Sequence, residues 1–257
     1  MEVDSALILY SGIELHMSAD AYLPFEENRN FFYLTGLRRD HMILLMKKTE
    51  KEEKSILFIE EADPTQERWF GRKVTVSEAQ EISGIEDVRF LDSFEGMVSS
   101  MMDREDISTL YFDCFRYQYE DLPDYNAVKA KEFADKYPGR SIKDIAPAVA
   151  ALRMWKDADE IELVKKAIDI TDKSLQFVMK NLKPGNTEYQ AQADFEYMFT
   201  IRVPTALPSR RLPEAEPTEP CFTMRPTRTS ARTEPFFSWI WEPNLTATAP
   251  TSPELIR

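Results

Sequence analysis

The 257-residue sequence holds two histidines, His16 and His41, and two cysteines, Cys114 and Cys221, against 45 acidic residues. Imidazole and thiolate are the groups that most readily do acid–base and nucleophilic chemistry near neutral pH. Each histidine stands alone beside strand-like sequence, where it reads as a structural or surface residue. Two cysteines cannot make a disulfide framework, so a reducing cytoplasm is the default. There is no glycine-rich phosphate loop, no nucleophile elbow, no HExxH and no CxxC. Carboxylates at this density meet in pairs by chance. Residue chemistry alone nominates no catalytic residue and no metal ligand.

Any such residue needs elements to position it. At 43% hydrophobic with mean hydropathy −0.44, the chain has apolar material for one large domain or two ordinary ones. No run approaches the roughly 18–20 apolar residues of a membrane-spanning helix. Met1-Glu2-Val3-Asp4 is acidic where a secretory leader is basic. A net charge of −13 argues against nucleic acid and anionic membrane as partners. The sequence therefore predicts a soluble, acidic protein of the cytoplasm.

Residues 5–150 read as an α/β domain. Residues 6–10, 42–46 and 55–59 are short apolar runs suited to burial on both faces. Residues 88–90 and 109–112 look like further strands. Helical stretches near 77–82, 94–104, 123–136 and 146–154 alternate with them, which predicts a mixed or parallel sheet covered by helices. The charged run 47–54 is expected to be a solvated hairpin loop. Pro138-Gly139 is a turn before residues 141–144.

A second region, 157–202, opens with Asp157 or Asp159 as a helix cap. Ile161, Val164, Ile168, Leu175 and Val178 follow at helical spacing. Leu182-Lys183-Pro184-Gly185 breaks that helix, and Thr187 with Gln190 starts another through Ala191, Phe195 and Phe199. Two helices do not cover their own apolar faces. Residues 203–257 then change character: ten prolines and nine threonines in 55 positions, with no Gly, Lys, Asp or Tyr. That proline density is expected to prevent helix and sheet alike and leave a disordered tail.

Four segments in order carry a resemblance. Residues 24–36, Pro-Phe-Glu-Glu-Asn-Arg-Asn-Phe-Phe-Tyr-Leu-Thr-Gly, resemble the PF…NRNFYYLTG signature of Xaa-Pro aminopeptidase (aminopeptidase P) N-terminal domains. Residues 63–72, with Trp69-Phe70-Gly71-Arg72, are similar to that family's DP…E.WFGRR segment. Leu152-Arg153…Lys156…Glu160-Ile161 resembles the linker that opens its catalytic domain. Leu182–Glu188 resembles its ikpG.tE turn. The helix that usually leads the family's domain is not seen ahead of residue 5, so the sequence is expected to start late.

The resemblance implies a creatinase-type N-terminal domain, a mixed sheet flanked by helices. It implies that 157–202 is the truncated helical start of a pita-bread α+β catalytic domain. It implies a metallopeptidase that binds two manganese ions through aspartate, histidine and glutamate and cleaves the Xaa-Pro bond at a peptide's N-terminus. It also implies a homo-oligomer formed through the N-terminal domain. Trp69 is implied to reach the substrate pocket of a neighbouring subunit; read as a residue alone, it is a large apolar side chain packed near the domain surface, and Arg72 is expected to make a structural ion pair.

The tail can be read in a shifted frame. Trp239 followed by Ile240 forces an aspartate codon, and Trp241 followed by Glu242 forces glycine. Residues 236–256 then permit a strand like the one that carries the family's first two metal aspartates. Residues from about 203 are therefore expected to be an out-of-frame translation. On this reading the chain as written binds no manganese specifically and is inactive. The alternative is a non-catalytic N-terminal module for dimerisation or interaction.

Overall fold

Ser5–Tyr10 (β1) is buried along its whole length, as a strand with partners on both edges and helices on both faces must be. It pairs antiparallel with Ile43–Lys48 (β4) and parallel with Thr109–Phe112 (β7). Beyond β4 lie Glu53–Ile59 (β5), antiparallel, and Asp87–Phe90 (β6), parallel to β5. Beyond β7 lies Ser141–Asp144 (β8), also parallel. The order β6-β5-β4-β1-β7-β8 makes one six-stranded mixed sheet. A separate ribbon of His16–Ser18 (β2) and Ala21–Tyr22 (β3) follows β1.

This computed structural model describes residues 1–19, 21–63, 65, 67, 71–104 and 107–202. Trp69 and the whole of 203–257 lie outside the described residues, and so do the expectations placed on them. The chain divides into two compact units, residues 1–154 and a second that begins at Trp155.

Alternate residues of the sheet feed two cores. Ala6, Ile8, Leu45, Ile56, Phe58, Leu110 and Phe112 pack with Phe94, Val98 and Met101 of Phe94–Arg104 (α3) and Ala130 of Tyr125–Lys136 (α4). Leu7, Leu9, Leu44, Leu57 and Ile59 pack with Phe31 of Arg29–Thr35 (α1), Ala79 of Val76–Ser83 (α2) and Val149 of Ala146–Met154 (α5). The result is the helix-covered mixed sheet that the alternation of elements predicts.

Local chemistry fixes the ends. Thr75 and Glu78 form a reciprocal capping box at the start of α2. Asn126, 1% exposed, accepts from Tyr10 N–H at 2.8 Å and donates to Tyr10 C=O at 3.0 Å. It pairs the end of β1 beyond the last residue registered with β7, Leu7.

One sequence expectation is corrected. The run 47–54 is not all loop: Lys47 pairs with Lys54 and Lys48 with Glu53, so only residues 49–52 turn. The sheet extends through the charges because their stems can lie on it while their heads reach water. In the second unit, Ala158–Asn181 (α6) is capped by Asp157 with Glu160, as expected. Its buried stripe is Ile170, Ser174 and Val178, while Ile161 and Ile168 stand 43% and 62% exposed, as expected of two helices that do not cover their own apolar faces. Glu188–Arg202 (α7) packs on α6, with Ala191 and Met198 buried and Phe177 facing Tyr197 at 6.5 Å.

Candidate functional site

At the start of β4 and the end of β5 the first unit opens a cleft of about 410 Å³. Both histidines of the chain line it, together with Tyr22, Arg39, Asp40, Glu60, Gly71 and Lys73. Its floor is apolar, formed by Met42 and Ile59, which are 4% and 1% exposed.

The sequence builds this opening from the turn after β1. Gly12 adopts φ +111°, and a Cβ there would meet the Phe25 ring at 3.4 Å. The turn lets Ser11 N–H donate to Met42 C=O at 2.9 Å, Met42 N–H to Ser11 Oγ at 3.0 Å and His41 N–H to Gly12 C=O at 3.0 Å. These bonds hold His41 at φ 51°, a left-handed backbone that histidine tolerates better than most residues. Its Nε2 lies 3.7 Å from the Asp40 carboxylate. His16 lies against Tyr22 across the ribbon, ring centroids 4.2 Å apart and planes tilted by 36°.

Gly71, from the segment resembling the family's WFGRR run, and Lys73 just after it also line the cleft. Thr65 N–H donates to Asp63 Oδ1 at 2.8 Å, and Lys73 N–H to Glu67 Oε1 at 2.8 Å. Arg72 pairs with Glu78 and Lys73 with Glu60. Arg72 and Lys73, at the C-terminal end, are thus held by charge-assisted bonds. Arg72 makes a structural ion pair, in agreement with the expectation from sequence.

A polar network elsewhere in the first unit has no counterpart in the reading from sequence. Asn28 caps α1 through Oδ1, accepting from the N–H groups of Asn30 and Phe31 at 3.0 and 2.9 Å. Its amide donates to Asp113 Oδ2 at 2.8 Å, and Asn30 donates to the same oxygen at 2.9 Å. Arg153 closes the chain by donating to Asn30 Oδ1 at 2.8 Å. Asn28, Asn30 and Arg153 all fall inside segments that carry the resemblance. No spacing rule could have joined them to Asp113, 83 positions from Asn30.

Cys114, next to Asp113, does not supply a nucleophile. Burial, then the carboxylates of Asp144, Asp124 and Asp113, push its thiol up to about 11. Burial also raises the carboxyl of Asp124. Among the described residues no group of three or more His, Cys, Asp or Glu side chains could hold a metal ion. The two histidines share a cleft without converging on a cation site, so the described residues do not fit a dinuclear manganese centre. What this arrangement can do is bind and orient.

Residues 1–111 match the family described as "Aminopeptidase P, N-terminal domain". They form an aminopeptidase P N-terminal domain. The chain is 29% identical over 200 residues to Xaa-Pro aminopeptidase of Haemophilus influenzae, a span covering 77% of this chain and 44% of that protein. With Xaa-Pro aminopeptidase of Escherichia coli it shares 26% identity, covering 77% of this chain and 46% of the other. Among solved structures, one from Bacillus anthracis assigned to aminopeptidase P superposes with TM-score 0.74 at 35% identity, covering 78% of this chain and 48% of that one. The chain thus spans less than half the length of the curated relatives it matches. A zinc-substituted structure is known for the Escherichia coli enzyme. In the aminopeptidase P N-terminal domain of this chain, the 24–36 segment supplies α1 and its Asn28 cap. Among the described residues no helix is long and apolar enough to cross a membrane.

Proposed function

We propose that this chain is the N-terminal part of a cytoplasmic, manganese-dependent metalloaminopeptidase that releases the first residue of peptides whose second residue is proline. The observation that supports this reading is the extent of the likeness to Xaa-Pro aminopeptidases, about 200 residues that cross from the first unit into the second. Residues 5–150 form the positioning domain, 157–202 begin the catalytic domain, and 203–257 are a translation in the wrong frame. Bound in the catalytic domain, two manganese ions would activate water for attack on the scissile carbonyl. The described residues of this chain do not hold them. Their share is assembly of a homo-oligomer and presentation of Trp69 to a neighbour's peptide pocket.

The test compares the 257-residue protein with one whose frame is restored after Arg202, both in excess manganese, on an Xaa-Pro peptide. Chelator-sensitive turnover is expected from the restored protein alone. Turnover by the 257-residue chain, or a restored protein that binds no metal, would overturn the reading.

One observation favours a second reading, a non-catalytic interaction module. The loop between β7 and α4 exposes Phe115, Tyr117, Tyr119 and Leu122, three of them at 84% or more. Sedimentation of the chain with Tyr119→Ser and Leu122→Ser separates the readings. Loss of self-association while the restored enzyme stays active would assign the loop to assembly.

A further inference from the structure

The cleft that holds both histidines opens where two strands part. Tyr10, the last residue of β1, lies opposite Ile43 of β4. Backbone bonds carry the pairing two residues further, from Ser11 to Met42 and from His41 to Gly12, and among the described residues they stop there. Ile13-Glu14 and Arg39-Asp40 come next on the two strands. They leave the sheet from one place, and all four line the cleft.

The charges around this opening are unevenly matched. Glu60 and Lys73 pair with each other, and Asp40 lies 3.7 Å from His41 Nε2. Arg39 donates only to the Arg72 C=O, at 3.4 Å, and has no acidic partner among the described residues. Glu14 makes no hydrogen bond or ion pair among them. One guanidinium and one carboxylate thus stand on diverging segments of the same cleft without binding each other. A small molecule with a charge of each sign answers both. The cleft, at about 410 Å³, is near the small end of the roughly 300–1,000 Å³ of ligand sites. Ile13, Tyr22 and Val74 line it and are half-buried, so each keeps accessible side-chain surface.

We propose that this cleft binds a free α-amino acid with an apolar side chain. Its carboxylate meets the Arg39 fork, whose planar geometry suits two carboxylate oxygens. Its ammonium meets Glu14, and its side chain lies against Ile13, Tyr22 and Val74. Such an amino acid is what the proposed peptidase would release, but the binding is measured without turnover and does not rest on that reading.

The experiment is isothermal titration of the 257-residue chain at low salt with L-leucine, N-acetyl-L-leucine and L-leucinol. Leucine should bind once per chain. Acetyl-leucine lacks the ammonium and leucinol the carboxylate, so each should bind about tenfold or more weakly, the loss of one charged hydrogen bond. Arg39→Gln should lower leucine to the affinity of leucinol and leave leucinol unchanged. Glu14→Gln should do the same with respect to acetyl-leucine. The imidazole resonances locate the ligand without any substitution, because His16 and His41 are the chain's two histidines and both line the cleft. Both should shift as leucine is added. Leucine binding that is undetectable at millimolar concentration, matched by either derivative, unchanged in both variants or silent at both imidazoles would overturn the proposal. The three-ligand comparison and the imidazole shifts decide even where a variant fails to fold.

Discussion

Replacing Asn126 with leucine leaves the Tyr10 N–H and C=O without partners in the interior. Two orphaned buried groups cost about 2–4 kcal/mol, which urea denaturation should show as a lower midpoint at unchanged slope. Asp87 makes a different, pH-dependent contribution. Hydrogen bonds from Arg89 first, and from Lys54, hold its carboxyl at about 2 against an ordinary 3.8. A depressed folded-state value stabilises above the unfolded one, so this contribution is complete above 3.8 and is lost as pH falls through about 2. Asp87→Asn should flatten the acid limb of the stability curve in that window; a parallel, uniformly shifted curve would contradict it. Cys114 should be inert. Its thiol at about 11 leaves little thiolate at pH 8, so disulfide reagents should modify it at least about tenfold more slowly than an unperturbed thiol. Mass-resolved labelling reads Cys114 apart from Cys221.

At the scale of elements, the sequence makes plain what burial alone dictates. Residues 6–10 and 55–59 are continuous apolar runs because both faces of their strands are covered. Strand β8 carries no such signal, since it lies at the sheet's edge and Ser141-Ile142-Lys143-Asp144 shows no apolar pattern; only the turn at Pro138-Gly139 marks its place. Helix α1 is equally hidden in the sequence. Its seven residues are too short for a periodic signal and rich in aromatics of middling propensity. It forms because Asn28 caps one end and Gly36 the other, with Gly36 at φ 70° and its N–H on Phe32 C=O at 2.7 Å. A Cβ at Gly36 would also meet Ile82 Cγ2 at 3.3 Å. Gly36→Ala should therefore destabilise the first unit by about 1–2 kcal/mol. An unchanged melting temperature would show that the helix end relaxes freely. The candidate site is legible in the sequence only as segments of a resemblance. The two histidines are isolated in sequence, yet the turn at Ser11-Gly12 brings both to one cleft.

At the scale of the whole molecule, Trp69 carries a proposed function, and described residues before and after it make bonds of their own. Thr65 bonds to Asp63, Lys73 to Glu67 and Glu60, and Arg72 to Glu78. An aromatic that contacts bound peptide in ground and transition state alike supports KM rather than kcat. In the frame-restored enzyme, Trp69→Ala should therefore raise KM for an Xaa-Pro peptide on the order of tenfold, with kcat nearly unchanged. The contact is proposed to act between subunits, and mixing tests that directly. A Trp69→Ala subunit co-assembled with one that keeps Trp69 but is inactivated at its metal centre should regain the parent KM, because the second subunit lends its tryptophan to the first. If KM stays raised in the mixed oligomer, the residue serves its own chain. If KM never rises, Trp69 is an apolar residue packed on the surface of its own domain.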